Sequence, residues 1–292
     1  MLNRLGRIAT DRPVLIAGPT ACGKSELAMQ LAQRDGGVIV NADAMQVYAN
    51  WRVLSARPTP AQENRQAHRL YGHVPGDVSY SVGQWLRDIA PVLAGPARVI
   101  IVGGTGLYFS ALTQGLADIP PTPADIRRRA EARLESDGAS VLLADLDSET
   151  RRRIDTANPV RIQRAWEVLQ STGRGLADWQ DRTAPALLAP DTAELVLITA
   201  DTRRLNQRIR ARFDEMLADG ALNEARANLA GWSPNHASAK IIGAAQLIAH
   251  LQGHIDLDQV RDSVAIATRQ YAKRQRSWFR SRMQAWRVVS AH

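Results

Sequence analysis

The chain's 292 residues, 45% of them hydrophobic, suffice to bury a full core as one large domain or two smaller ones. One cysteine, Cys22, excludes an internal disulfide, and six scattered histidines without cysteine partners exclude a zinc pattern. No apolar stretch approaches the roughly 18 residues of a membrane helix, and a net charge of +8, carried by 34 Arg against three Lys, favours an acidic partner.

The opening Met1-Leu2-Asn3-Arg4 carries no signal-peptide core, so a cytoplasmic protein with no membrane partner is expected. The first apolar run, Pro13-Val14-Leu15-Ile16-Ala17, reads as a buried strand. Directly behind it stands Gly18-Pro19-Thr20-Ala21-Cys22-Gly23-Lys24-Ser25, a complete G-x-x-x-x-G-K-S/T phosphate loop, followed by the helical Glu26-Leu27-Ala28-Met29-Gln30-Leu31-Ala32. Backbone N–H groups of such a turn and of the helix start form a concave donor array for phosphate oxygens. Lys24 adds a point charge, and the Ser25 hydroxyl is a ligand for Mg²⁺. A diphosphate or polyphosphate is therefore expected here.

A second run, Gly37-Val38-Ile39-Val40, ends in Asn41-Ala42-Asp43-Ala44-Met45-Gln46-Val47-Tyr48. A carboxylate at a strand end beside a phosphate loop has three available roles, as Mg²⁺ ligand, as general base or as cap of the next helix. The third run, Val99-Ile100-Ile101-Val102, continues into Gly103-Gly104-Thr105-Gly106-Leu107-Tyr108. It presents backbone where a protein that hydrolyses nucleoside triphosphates usually presents a carboxylate. Asp201, behind the fourth run Glu194-Leu195-Val196-Leu197-Ile198-Thr199, keeps that alternative open. Continuous apolar strands separated by helical patterns predict an α/β fold, a P-loop parallel sheet with helices on both faces and its ligands at the C-terminal strand ends.

Between Gly115 and Pro190 no strand is expected. Helices are expected from Pro123 to Leu134 and from Pro159 to Gly173, and Pro-rich stretches mark both ends of the segment. The predicted organisation is a catalytic core of 1–115 and 191–292 with a helical insertion domain over 116–190. Arg161 and Arg164 stand one turn apart in the insertion, a spacing that can grip neighbouring phosphates. The runs Arg127-Arg128-Arg129 and Arg151-Arg152-Arg153 read as solvated surface, because eleven Arg in the insertion are offset by twelve acidic residues. After the fourth strand the chain is expected to stay helical to its end. Seven basic and no acidic residues lie from Arg269 to Arg287, and Arg269, Lys273, Arg276 and Arg280 share a helix face. That face suits a nucleic-acid backbone. A solvated helix whose Trp and Phe dock on the sheet, or a membrane-surface helix, would read similarly.

Together and in this order, six features resemble the tRNA dimethylallyltransferase family over nearly the whole chain. They are Gly18-Pro19-Thr20-Ala21-Cys22-Gly23-Lys24-Ser25, Asp43-Ala44-Met45-Gln46-Val47-Tyr48, Val102-Gly103-Gly104-Thr105-Gly106-Leu107-Tyr108, Arg161-Ile162-Gln163-Arg164-Ala165-Trp166-Glu167-Val168, Gly173 and Arg269-Gln270-Tyr271-Ala272-Lys273-Arg274-Gln275. The resemblance implies transfer of a dimethylallyl group from its diphosphate to N6 of the adenosine immediately 3′ of the anticodon, with Mg²⁺. It implies that the octet from Gly18 to Ser25 holds the diphosphate, that Asp43 is the general base and that Thr20 takes part in catalysis. Asp43, Ala44, Met45, Gln46, Thr105, Arg127, Val160, Arg161, Ile162, Gln163 and Arg164 are then expected to touch the tRNA anticodon stem-loop, joined by Lys273 and Arg276. Arg208 is the expected diphosphate-neutralising arginine, with Arg212 the weaker candidate.

The chain departs from the family pattern at Ala44, Ser55, Arg57 and Pro159, where Ser, Thr, Lys and Asp are usual. Cys22 replaces a small residue in the loop, which would leave an oxidation-sensitive thiol in the site. The chemistry fits the residues: an exocyclic amine is a poor nucleophile, so a base must accept its proton while donors and cations take the charge of the departing diphosphate. The target base must also leave its stack. A monomer is expected. The alternatives are a small-molecule or nucleoside kinase on the same core, and a noncatalytic RNA-binding protein that senses nucleotide.

Overall fold

Aliphatic and β-branched residues in succession suit a strand covered on both faces. In the computed structural model, which describes Leu2 and residues 5–291, all four such runs are strands. The described residues form one sheet from β1 (Val14–Ala17), β2 (Val38–Asn41), β3 (His68–Arg69), β4 (Val99–Gly103), β5 (Glu194–Ala200) and β6 (Arg287–Ala291). Its order is β3-β2-β4-β1-β5-β6, and every neighbouring pair is parallel. Every residue of β1, β2 and β4 is buried, as the unbroken apolar runs require.

The two outer strands correct the sequence reading. β3 is two polar residues long and pairs with Ile39 and Val40. The chain does not stay helical to its end, because β6 pairs residue by residue with β5 from Val196 to Ala200. In β6 only Val289 and Ala291 are buried, so neither strand carries the continuous apolar signal that marks a central one. Their pairing comes from the neighbouring edge.

Helices α1 (Lys24–Asp35), α2 (Pro60–Arg65), α3 (Val82–Leu93) and α4 (Gly106–Gln114) lie between the early strands or directly follow β4. The helices α5 (Ala124–Asp137), α6 (Ala139–Ala144), α7 (Ser148–Arg153), α8 (Pro159–Thr172) and α9 (Leu176–Asp181) follow. Then come α10 (Thr202–Ala218), α11 (Ala221–Leu229), α12 (Ala244–Leu251) and α13 (Leu257–Arg282). Alternate strand residues build two core layers. Val14, Ile16, Ile39 and Ile100 pack with Leu27 and Leu31 of α1 and with Leu205 and Ile209 of α10. On the other face Leu15, Val40 and Ile101 pack with Trp85, Ile89, Phe109 and Phe279.

The chain divides into two compact units, Met1–Thr113 with Leu187–His292, and Gln114–Ala186. The second unit is helical and has its own core of Ala130, Leu142, Leu146, Ile162, Ala165 and Trp166. Within it α8 begins at Pro159 behind an Asn158 cap, whose side chain accepts the Arg161 amide, and ends at a left-handed Gly173. Asp201 serves α10 in the same way, accepting from the Arg203 and Arg204 amides. Its carboxylate is committed to a helix start and does not line the cavity described below, which removes the support it gave to triphosphate hydrolysis.

Candidate active site

In a parallel sheet ordered β2-β4-β1, the segments that leave these strands lie side by side at one edge. They carry the phosphate loop, Asp43 and Gly104. All three segments line a cavity of about 590 Å³ within the first unit, a size suited to a small ligand.

At the loop, Ala21 and Gly23 both have left-handed backbones, with φ of 61° and 91°. α1 starts behind Gly23 without any side-chain cap, so its first amides are available to an anion. Lys24 donates to the Pro19 carbonyl at 2.7 Å and lines the cavity. Burial pushes its ammonium below the usual lysine range, while the neighbouring Cys22 and Asp43 pull it back up. A bound diphosphate would favour the charged form further. Thr20, Ala21 and Ser25 line the same cavity.

Cys22 does not. It is fully buried among the core residues behind the loop, and burial raises its thiol pKa. The expectation of an oxidation-sensitive thiol is therefore corrected, since reactivity requires an accessible thiolate. A thiol reagent such as dithionitrobenzoate is expected to leave the folded protein unlabelled and to modify Cys22 only on denaturation. Stoichiometric labelling of native protein would contradict this.

Asp43 is fixed by the turn that follows β2. Asn41, completely buried, accepts the Asp43 amide at 2.8 Å and donates to the carbonyls of Asp43 at 2.9 Å and Leu70 at 3.0 Å. The Asp43 Oδ1 atom accepts the Met45 amide at 3.0 Å. Among the described residues no helix follows Asp43 before Pro60, so the helix-capping role considered for it is corrected to a turn contact made by one oxygen. Oδ2 lies beside Gly104, where a Cβ would sit 3.3 Å from it. Burial raises the pKa of Tyr71, Tyr108 and Tyr271, and the Asp43 charge raises each further. These three groups stay protonated throughout the neutral range.

The arginine that α10 brings to the cavity is Arg212. In α10 the buried stripe of Leu205, Ile209 and Phe213 sets the inward face. Arg212 stands one turn from Ile209 and lines the cavity together with Phe213 and Met216. Arg208 is exposed and absent from the cavity, because it lies one turn earlier on the same face, beside Leu205, which also does not line the cavity. The expectation for Arg208 is therefore corrected in favour of Arg212. Burial lowers the Arg212 pKa while Asp43, Cys22 and Glu215 raise it, so the cation is held among anions or groups that can become anionic.

The remaining expected contacts divide. Ala44, Met45, Gln46 and Thr105 line the cavity. Gln46 spends its Nε2 on the carbonyls of Ser55 and Ala56 at 2.9 and 3.0 Å, and the Thr105 Oγ1 accepts the Ala44 amide at 2.9 Å. In the second unit Val160 is 73% exposed, and Arg127 and Arg161 are also exposed. Ile162, only 2% exposed, belongs to the core of that unit and is corrected as a surface contact. Gln163 donates to Glu167 at 2.9 Å, and Arg164 bonds Thr122 at 2.5 Å. On α13 Lys273 is exposed, whereas half-buried Arg276 bonds the Thr202 hydroxyl.

Several cavity residues on α13 were missed as site residues. Tyr271, Arg274, Gln275, Trp278 and Phe279 line the cavity, from within the segment read as a nucleic-acid face. Their helical spacing was available as a signal, but the surrounding basic residues masked it. Lys240 and Tyr71 also line the cavity, and no local pattern marked them. The wall is completed by apolar groups including Leu54, Phe213, Ile241 and Val264. A polar end at the loop therefore adjoins an apolar one, as a ligand with a charged head and a hydrocarbon tail requires.

The cavity's metal-binding donors are modest. Ser25 and Asp43 line it, and no group of three or more His, Cys, Asp or Glu poised for a metal exists among the described residues. A hydroxyl and one carboxylate fit a Mg²⁺ that keeps waters and takes most ligands from a diphosphate, not one caged by protein.

Comparison with known proteins agrees with this geometry. The family model described as IPP transferase matches residues 46–282, and one described as isopentenyl transferase matches residues 12–74. The chain is 57% identical over 288 residues to a tRNA dimethylallyltransferase of Cereibacter sphaeroides, covering 99% of this chain and 92% of that one. It is 58% identical over 276 residues to that of Roseobacter denitrificans, covering 94% and 98%. Among solved structures, a tRNA isopentenylpyrophosphate transferase from Bacillus halodurans matches with a TM-score of 0.67 at 28% identity, covering 96% of this chain and 90% of that one. A eukaryotic dimethylallyltransferase acting on tRNA shares the fold, with a TM-score of 0.80 at 24% identity, covering 96% and 73%.

Proposed function

The chain belongs to the IPP transferase family, and from that premise we propose that it moves a dimethylallyl group from dimethylallyl diphosphate to N6 of the adenosine immediately 3′ of the tRNA anticodon. One observation carries the reading: Asp43, the phosphate loop and Arg212 line a single cavity whose remaining wall is largely apolar.

The diphosphate sits on the loop and the first amides of α1, with Lys24 and Arg212 beside it. These donors and cations take up the negative charge that grows on the bridging oxygen as the allylic C–O bond breaks. The N6 lone pair forms the new C–N bond, and the Asp43 carboxylate accepts the N6 proton and later returns it to water. Leu54, Phe213 and their apolar neighbours receive the hydrocarbon tail. The Ser25 hydroxyl would hold Mg²⁺ beside the diphosphate, where the metal would supply further neutralisation of the leaving group. The base reaches Asp43 by leaving its stack; exposed Lys273 in the first unit and exposed Arg127, Val160 and Arg161 in the second contact other parts of the RNA. The segment 116–190 acts in this reading as a tRNA-contacting insertion, and the enzyme works as a monomer in the cytoplasm.

The test is incubation with labelled dimethylallyl diphosphate, Mg²⁺ and unmodified tRNA. Label is expected in the RNA, and chelation of the metal is expected to stop its incorporation. Unlabelled RNA, with ATP consumed in the presence of a small acceptor, would instead establish the kinase reading.

A further inference from the structure

We propose that Gln275 is a positioning residue for the transfer step, one that sets the separation between the phosphate loop and the Asp43 carboxylate. The inference rests on the prenyl-transfer reading and deepens it.

Gln275 belongs to the basic segment of α13, yet it is only 6% exposed. Both ends of its amide are engaged. Its Oε1 accepts the Thr20 amide of the loop at 2.9 Å, and its Nε2 donates to the Gly104 carbonyl at 2.9 Å. One side chain therefore ties the loop behind β1 to the turn behind β4, and the Asp43 turn leaves the strand paired with β4 on its other side.

Gln275 and Asp43 border the space that Gly104 leaves open. A Cβ on Gly104 would meet Gln275 Nε2 at 2.3 Å and Asp43 Oδ2 at 3.3 Å, so the amide and the carboxylate flank the same gap. A side chain at residue 104 would displace the Gln275 amide and crowd the carboxylate. Only a neutral amide serves both ends. A carboxylate of the same length keeps the bond from Thr20 but cannot donate to the Gly104 carbonyl, and a thioether does neither. The groups that interact with Asp43 from the surrounding elements are Lys24 of α1, Tyr71 behind β3, Tyr108 of α4, Arg212 of α10 and Tyr271 of α13. None of them bridges the loop and the Gly104 turn by hydrogen bonds to both. The attacking amine, the departing diphosphate and the carboxylate that takes the proton must be held at fixed separations, so loosening this strap costs rate before it costs affinity.

The test uses the full chain with Gln275→Met. The single-turnover transfer rate is expected to fall about tenfold to thirtyfold, with KM for tRNA and for dimethylallyl diphosphate changed by about threefold or less. In an Asp43→Asn background the same change is expected to cost about threefold or less, because the group being positioned is already lost. Gln275→Glu is expected to lower the rate similarly and replaces the Met variant should that one fail to fold. A loss that persists in full in the Asp43→Asn background overturns the proposal. So does a lowered melting temperature with an unchanged rate per folded molecule, which makes Gln275 a structural strap only. If the wild-type protein itself transfers no label, it is the prenyl-transfer reading that falls.

Discussion

Asp43→Asn is expected to lower the single-turnover rate of prenyl transfer about 10²-fold to 10⁴-fold, the range associated with loss of a positioned general base. The substitution is chosen so that the fold survives. The amide oxygen of Asn can still accept the Met45 amide that Asp43 Oδ1 accepts at 3.0 Å, and the backbone remains held by Asn41. What disappears is a second oxygen able to take a proton. Affinity for the tRNA, measured by filter binding, is expected to stay within about threefold of wild type. Binding of Mg²⁺ and inorganic pyrophosphate, measured by calorimetry, is expected to be unchanged or tighter, because Asp43 adds negative charge near Lys24 and Arg212. Weaker binding of Mg²⁺ and pyrophosphate would make Asp43 a metal ligand. An equal loss of tRNA affinity and rate would make it a binding group.

The second large effect separates two arginines on one helix. Arg212→Ala is expected to reduce transfer about 10²-fold to 10³-fold, comparable to removal of one preorganised group that stabilises transition-state charge. Arg208→Ala is expected to stay within about twofold, as exposed substitutions away from a site usually do. Arg212→Lys should recover only part of the loss, since a point charge does not reproduce a forked donor. Steady-state rates and inhibition by pyrophosphate check both arms. Pyrophosphate inhibition should weaken in the Arg212 variants and not in the Arg208 variant. The opposite ranking would return the leaving-group role to Arg208 and contradict the placement of the Arg212 turn at the cavity.

Arg208 and Arg212 also illustrate where sequence reading reaches its limit. α10 carries arginines at 203, 204, 208, 210 and 212, so charge occurs round much of its circumference. The phase set by packing Leu205, Ile209 and Phe213 against neighbours leaves Arg208 and Arg212 on one face, and choosing between them needs to know which turn of the helix reaches the cavity. Cys22 and Ile162 failed for a related reason. Membership of a contiguous motif was read as membership of the site, but adjacent residues on a tight loop or a helix point in different directions. Both side chains serve the core.

The C-terminal segment divided along the same line. Its basic composition was plain, and an exposed face with Lys273 is present. Yet Tyr271, Gln275 and Trp278 recur at helical spacing on the cavity side. The sequence also proposed three roles for Asp43 without ranking them by geometry. The structure assigns one oxygen to the turn and brings the other beside Gly104.

The sequence by itself determined the family, the phosphate loop, the acid that faces it, the parallel α/β core and the helical segment after it. Each of these is written in neighbouring residues: an anion cradle made of consecutive amides, a carboxylate at the end of an apolar run, strands that are apolar without interruption. Only the tertiary structure decided the edge strands β3 and β6, the choice of Arg212, the burial of Cys22 and Ile162, and the strap made by Gln275. Those features depend on partners far along the chain, and pairing at a sheet edge or the facing of a helix leaves no local pattern strong enough to fix it.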